Sequence, residues 1–282
     1  MPDRSELADR LGRWLVSTTF PEPGSRVVCA VSGGADSLAL LGLAVAAGCD
    51  VVAMHVDHGQ RPESRREAGL VEAAAHTVGA GFLSRSVDVA PGPNLEARMR
   101  AARYRVIGPE ACTGHTMDDQ AETVLINLMR GAGLVGLGAM QPGPRRPILG
   151  LRRADTQMIC SALGWDPVVD PTNADRSFSR NRIRAELIPL LNEIARRDVV
   201  PLLARSAGHC RSAAALVDEL AATVDPTDAR QLDVAAVPVA GRAIQSWVRT
   251  ATGAQHPIDQ SSVERVLRVA EGVAVAAEIT GG

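Results

Sequence analysis

The run Ser32-Gly33-Gly34-Ala35-Asp36-Ser37 stands directly after the apolar, β-branched segment Val27–Val31 and directly before a helix-like stretch. That context supplies what a phosphate group needs. Glycines accept positive φ and let the backbone approach closely. Successive N–H groups can then point into one concavity, and a helix N-terminus adds unpaired donors and partial positive charge. Ser32 and Ser37 add hydroxyls. Asp36 inside such a loop would repel an anion unless a cation intervenes, which points to Mg²⁺ bridging carboxylate and phosphate. The plainer alternative is a glycine turn with Asp36 or Ser37 capping the helix. The chain has no lysine, so all 30 basic residues are arginine, and a lysine-dependent phosphate loop is excluded.

Three further segments carry polar residues of the kinds that do chemistry. His55-Val56-Asp57-His58-Gly59-Gln60-Arg61 follows a second apolar run. Gly114-His115-Thr116-Met117-Asp118-Asp119-Gln120-Ala121-Glu122-Thr123 opens a helix that leads into Arg130 and the glycine-spaced stretch 131–138. Asp170-Pro171-Thr172-Asn173 is a turn signal ahead of Ser179-Arg180-Asn181-Arg182-Ile183-Arg184. Carboxylates early in a helix also favour its dipole, which is the structural reading of Asp118 and Asp119. Arginine forks suit phosphates and base edges, so Arg180, Arg182 and Arg184 read as RNA contacts, and Arg103 as a phosphate or base contact. Residues 130–211 hold 13 arginines against 7 acidic residues in a chain of net charge −2, an asymmetry that can mark a phosphate-binding face.

These segments need a scaffold. Short apolar runs alternate with helical patterns: a strand at Val27–Val31, a helix at Asp36–Ala47, a strand at Val51–Val56, a helix at Ser64–Val78, a strand at Phe82–Val89 and a helix at Asn94–Ile107. That alternation means βαβ units and a parallel sheet. A compressed fourth repeat leaves room for a short strand at Ala111–Gly114, followed by a helix at Asp118–Arg130. Ligands of such sheets bind at the carboxyl ends of the strands, where the segments at 32–37, 55–61 and 114–123 all fall. A short strand is expected at Pro147–Gly150 and a helix at Ala154–Leu163. Helices then follow at 179–192, 195–224, 239–253 and 261–271, and 273–280 looks like a strand without a partner. The expected division is residues 1–192 as an α/β catalytic domain and 193–282 as a smaller helical domain, incomplete at its C-terminus.

The N-terminal residues 1–15 read as an amphipathic helix, not a leader, and no apolar run is long enough to span a membrane. The expected compartment is the cytoplasm. Five scattered cysteines with no C-x-x-C pair argue against a disulfide framework, a zinc ribbon or a cysteine-held cluster.

The Ser32–Ser37 hexapeptide resembles the pyrophosphate-binding loop of the N-type ATP pyrophosphatases, whose members adenylate a substrate oxygen. The three further segments, in their order, resemble the tRNA(Ile)-lysidine synthetases over roughly residues 25–190. The resemblance implies a Rossmann-like adenine nucleotide α-hydrolase fold. It also implies ATP-dependent adenylation of C2 of cytidine 34 in a CAU anticodon, then attack by L-lysine with release of AMP. ATP and Mg²⁺ would be held by the loop at 32–37, with His55 beside the nucleotide. Asp36, His115, Asp119 and Arg103 would be catalytic; Asp57, His58, Glu122, Arg130, Arg180 and Arg182 would contact substrate. The implied partners are isoleucine tRNA and L-lysine, with no membrane; a homodimer is left open. The family usually carries a second histidine where Thr116 stands, and a longer segment between Tyr104 and His115. A cytidine 2-thiolase on the same fold would need paired cysteines, which are missing. A non-catalytic nucleotide- or RNA-binding protein is the other alternative.

Overall fold

The computed structural model describes residues 4–57, 64–87, 92, 95–169, 175–254 and 258–279. The chain divides into two compact units, residues 1–131 with 139–205, and residues 132–138 with 206–282.

The first unit is α/β. Helix α1 (Arg4–Leu15) precedes strand β1 (Arg26–Ala30), helix α2 (Ala35–Ala46), strand β2 (Asp50–Asp57), helix α3 (Ser64–Val78), strand β3 (Gly81–Ser86) and helix α4 (Leu95–Ile107). The three strands pair in parallel in the order β1-β2-β3, with Cys29 opposite Ala53 and Ala53 opposite Phe82. Parallel strands need crossover connections, and α2 and α3 supply them. Leu38, Leu40, Leu41 and Leu43 of α2 are all completely buried. A helix apolar on every side must be enclosed, and α1 and α7 (Arg153–Leu163) pack on α2 together with the sheet and α3.

The expected fourth strand at Ala111–Gly114 shrinks to one parallel bridge. Cys112 N–H donates to Val28 O (2.8 Å), and Cys112 O accepts from Ala30 N–H (2.9 Å), on the side of β1 away from β2. The seven residues between Ile107 and His115 include the turn after α4, so no longer pairing fits. The third strand ends at Ser86, with residues 88 and 89 of the expected strand outside the described residues, and its later residues are exposed because it lies at the sheet edge. Residues 147–150 form turns, not a strand: Leu149 and Leu151 bond back to Arg146 and Ile148.

Past the bridge come α5 (Met117–Met129), the one-turn α6 (Leu134–Leu137) and α7. A continuous helical run then comprises α8 (Ser179–Arg182), a π-helical turn at Ile183–Leu187 and α9 (Ile188–Ala195). The single helix expected over 195–224 is interrupted, because Arg196 adopts a left-handed φ of 51° and helix α10 starts only at Val200, running to Ala221.

The second unit holds the later part of α10 with α11 (Ala229–Val234), α12 (Val237–Thr252) and α13 (Gln260–Ala270). Its core gathers Leu232, Ala240, Ile244, Val248, Ile258 and Val263. Asp228 and Asp259 cap α11 and α13 by accepting from backbone N–H groups. Residues 273–279 form no strand. Ile279 packs on the helical core instead, and Glu278 O accepts from Arg265 Nε at 3.1 Å. No described helix is long and apolar enough to cross a membrane.

Because Leu40 is completely enclosed at the centre of the α/β core, Leu40→Ala is expected to cost about 3 kcal/mol. Chemical denaturation at neutral pH measures this as a lower midpoint.

Candidate functional site

The loop at 32–37 is held by four polar contacts. Gly33 holds φ at 89°, a region closed to most side chains, and its carbonyl accepts from Val168 N–H at 3.0 Å. Gly34 is extended (φ −76°, ψ 159°) and is the N-cap of α2, so of the two glycines only Gly33 uses positive φ. Neither Asp36 nor Ser37 caps the helix. The buried Ser37 hydroxyl donates to Gly34 O (2.8 Å) and accepts from Ser32 N–H (3.1 Å), closing the loop on itself. Ser32 Oγ lies 3.2 Å from Ser37 Oγ. The Ser37 and Leu38 N–H groups both donate to Gly34 O (3.1 and 3.0 Å), while a helix supplies no internal partner for its very first N–H groups.

Gly114 sets the height of the next segment. A β-carbon there would lie 2.8 Å from Asp36 O and 3.0 Å from Ser37 N, so only glycine lets this segment rest on the first turn of α2. His115 follows at once, and Thr113 Oγ1 lies 2.8 Å from its Nδ1. Thr116 is the N-cap of α5: its N–H and its hydroxyl both donate to Asp119 Oδ2, each at 2.9 Å. At this position the chain uses a hydroxyl and a backbone N–H to orient Asp119.

Around Asp119 lies a set of alternating charges. Glu122 is completely buried. Its carboxylate accepts from Arg184 Nε (2.7 Å), Arg180 Nε (2.9 Å) and Arg153 (3.4 Å). Arg153, at the start of α7, also reaches Asp119 Oδ1 (3.3 Å) and lies 3.6 Å from Asp36. Arg152 grips Asp118 at 3.1 Å and Asp198. Asp118 in turn accepts from the Arg153 backbone N–H at 2.8 Å, which ties the start of α5 to the start of α7. The π turn falls where Arg180 and Arg184 must converge on one carboxylate, a common setting for such turns.

Burial pushes the Asp36 carboxyl up, and the Thr156 hydroxyl (2.5 Å) and Arg153 offset only part of that. Burial also acts on Asp119, but Arg153, the Thr116 N–H, His115 and Arg180 outweigh it and hold the carboxyl below its ordinary value. Asp118 likewise sits low: burial opposes, while the hydrogen bonds from Arg152 and the Arg153 N–H prevail.

The structure thus brings Asp36, His115, Asp119, Glu122 and Arg180 together. His55 is 2% exposed at the end of β2; its Nδ1 donates to Val31 O at 3.0 Å beside the loop, and Nε2 is buried without a hydrogen-bond partner. Asp57 ends the same strand, and its carbonyl accepts from Val87 N–H. Arg130 caps the other end of α5, about 18 Å along the helix from Asp118. Arg182 pairs with Glu186 at 3.0 Å and is 63% exposed. Arg180 and Arg184, read as RNA contacts, turn inward onto Glu122, because a buried carboxylate requires counter-charge. His58 lies outside the described residues, as does the side chain of Arg103 on α4. Sequence reasoning missed Arg152, Arg153 and Thr156 as partners of the acids. The only signal was an arginine doublet at a helix start.

No group of three or more histidine, cysteine or acidic side chains is placed to hold a metal among the described residues.

A parallel sheet with a glycine loop at the carboxyl end of its first strand, and carboxylates gathered beside that loop, defines a PP-loop protein. The family model described as the PP-loop domain matches residues 5–191. A tRNA(Ile)-lysidine synthase of Nocardia farcinica is 39% identical, over 95% of this chain and 87% of the relative. One from Mycolicibacterium paratuberculosis is 40% identical, over 87% of this chain and 82% of the relative. The chain belongs to the tRNA(Ile)-lysidine synthase family. Among solved structures, the U34-tRNA thiolase NcsA of Methanococcus maripaludis with its [4Fe-4S] cluster shares the fold. Its TM-score is 0.55 at 14% identity, covering 73% of this chain and 79% of that one.

Two expectations follow. Glu122→Ala leaves three arginines without their shared carboxylate and is expected to cost about 3 kcal/mol, while Arg182→Ala stays within about 0.5 kcal/mol of the parent. Paired urea titrations measure both. The second concerns Asp36. Its folded pKa is raised, so ionised Asp36 opposes folding at every pH above that value, and the effect vanishes once both states are protonated. Asp36→Asn is therefore expected to melt higher than the parent at pH 7, with the difference closing below about pH 4. Thermal scans across that range read it out.

Proposed function

We propose that this protein is a tRNA(Ile)-lysidine synthase, a ligase that forms a C–N bond with conversion of ATP to AMP and pyrophosphate. In this reading the C2 oxygen of cytidine 34 attacks the α-phosphorus of ATP, and pyrophosphate departs. The ε-amine of L-lysine then attacks C2, the C2–O bond breaks, AMP leaves, and the amine loses a proton.

The observation that carries the reading is the convergence of the Ser32–Ser37 loop with His115 and Asp119, combined with membership of the family. Loop N–H groups would hold the pyrophosphate in place and stabilise charge as it develops. A Mg²⁺ ion would be held by Asp36, neutralising phosphate charge there. His115 would accept the amine proton. Asp119 and Glu122 are the acidic groups for a substrate ammonium. Glu122 is already enclosed by arginines, whereas Asp119 offers Oδ1 toward Arg153 with Oδ2 fixed by Thr116. Residues 193–282 would hold the body of the tRNA.

The test is incubation with ATP, Mg²⁺, L-lysine and an isoleucine tRNA transcript with a CAU anticodon, followed by nucleoside mass spectrometry. The expected result is an ATP-dependent lysine adduct on cytidine 34. AMP release without lysine or adduct would keep the pyrophosphatase chemistry and overturn the substrate. Asp36→Asn is expected to reduce adduct formation at least 100-fold. Gly114→Ala should raise the KM for ATP, since it forces the His115 segment off the loop's helix.

A further inference from the structure

Thr113 Oγ1 has two close neighbours: His115 Nδ1 at 2.8 Å and Arg145 O at 3.1 Å. The hydroxyl has one proton, and a carbonyl oxygen only accepts. If that proton went to Nδ1, the hydroxyl oxygen and the Arg145 carbonyl would face each other with lone pair against lone pair. Both contacts are hydrogen bonds in only one assignment: Thr113 donates to Arg145 O, and His115 Nδ1–H donates to Thr113. The acceptor end of this chain is fixed, because Arg145 O also accepts from the Thr113 N–H at 2.9 Å. The ring's hydrogen bond selects its tautomer, and a neutral ring protonated at Nδ1 has its basic lone pair on Nε2.

We propose that Thr113 is a positioning residue that locks His115 in the Nδ1–H tautomer, making Nε2 the atom that accepts the proton lost by the attacking amine. The base role rests on the function proposed above; the tautomer does not. The placement suits the task. Gly114 lies against the Asp36 backbone on one side of His115, and the Thr116 cap of Asp119 begins on the other. When Nε2 takes a proton, Nδ1 keeps its own, and the resulting imidazolium stands near enough to Asp119 for their charges to interact. No atom other than that proton moves at the ring.

The experiment uses the full chain labelled with ¹⁵N-histidine. It has six histidines, and loss of a signal in His115→Gln identifies the resonance. Two-bond ¹⁵N–¹H correlation spectra distinguish a protonated from a bare ring nitrogen directly. The expected result at a pH where the ring is neutral is a bare Nε2 in the parent protein. In Thr113→Val it becomes an Nε2–H or averaged ring, and in Thr113→Ser it is bare again. Turnover is expected to fall about 100-fold in Thr113→Val with the KM for ATP unchanged, and to recover in Thr113→Ser. An Nε2–H ring in the parent overturns the proposal. So does a Thr113→Val protein that keeps the parent's tautomer, whatever its turnover. A bare Nε2 in a protein that makes no lysine adduct would leave the tautomer standing and sink the assigned reaction instead.

Discussion

The fully buried carboxylate of Glu122 is the constraint around which the site is arranged. An isolated charge at that depth would be prohibitively costly, so three arginines from two separate stretches must reach it. Arg153 comes from the start of α7, and Arg180 and Arg184 come from the helical run that contains the π turn. Meeting this requirement fixes where α7 and the run at 179–187 stand against α5. It also places Arg153 between Glu122, Asp119 and Asp36. Arginine meets every carboxylate of the set: Asp36, Asp118, Asp119, Glu122 and the outlying Asp198 share Arg152, Arg153, Arg180 and Arg184. A substrate cation entering here therefore competes with arginine and does not fall into an open acidic well.

Asp36 is the exception to this compensation. It has a hydroxyl from Thr156 and a more distant arginine, and burial still prevails, so its ionised form is held at a cost to the fold. A carboxylate in that condition gains from a cation brought in by substrate phosphate. In the proposed function this destabilised group would stand where the nucleotide phosphates bind, and packed neighbours surround it. Ser37 closes the loop in front of it, the enclosed α2 lies behind it, and Gly114 presses on its backbone.

Two small local features complete the rim. The compressed fourth repeat retains one bridge at Cys112, and those two backbone hydrogen bonds suffice to set the height of Gly114 and His115 on the rim. Thr116 supplies a buried hydroxyl and a helix cap, so Asp119 keeps a defined orientation.

The sequence by itself determined the parallel α/β scaffold, the loop at 32–37 and the rim on which His55, His115 and Asp119 lie. Those features depend on local patterns: short continuous apolar runs, glycines between strand and helix, and acids in a first helical turn. It did not determine that the expected strand at 147–150 is a turn, that 273–279 folds onto helices, or that only Gly33 needs positive φ. Nor could it direct Arg180 and Arg184 inward. An arginine near a helix start looks the same whether it meets RNA or a buried carboxylate about 60 residues away in sequence. Arg153, Thr156 and Thr113 were invisible for the same reason. Their partners are distant in sequence, or become partners only once a carbonyl such as that of Arg145 is brought within reach. Pairing of this kind is decided by the tertiary fold, because burial sets which polar groups must find each other.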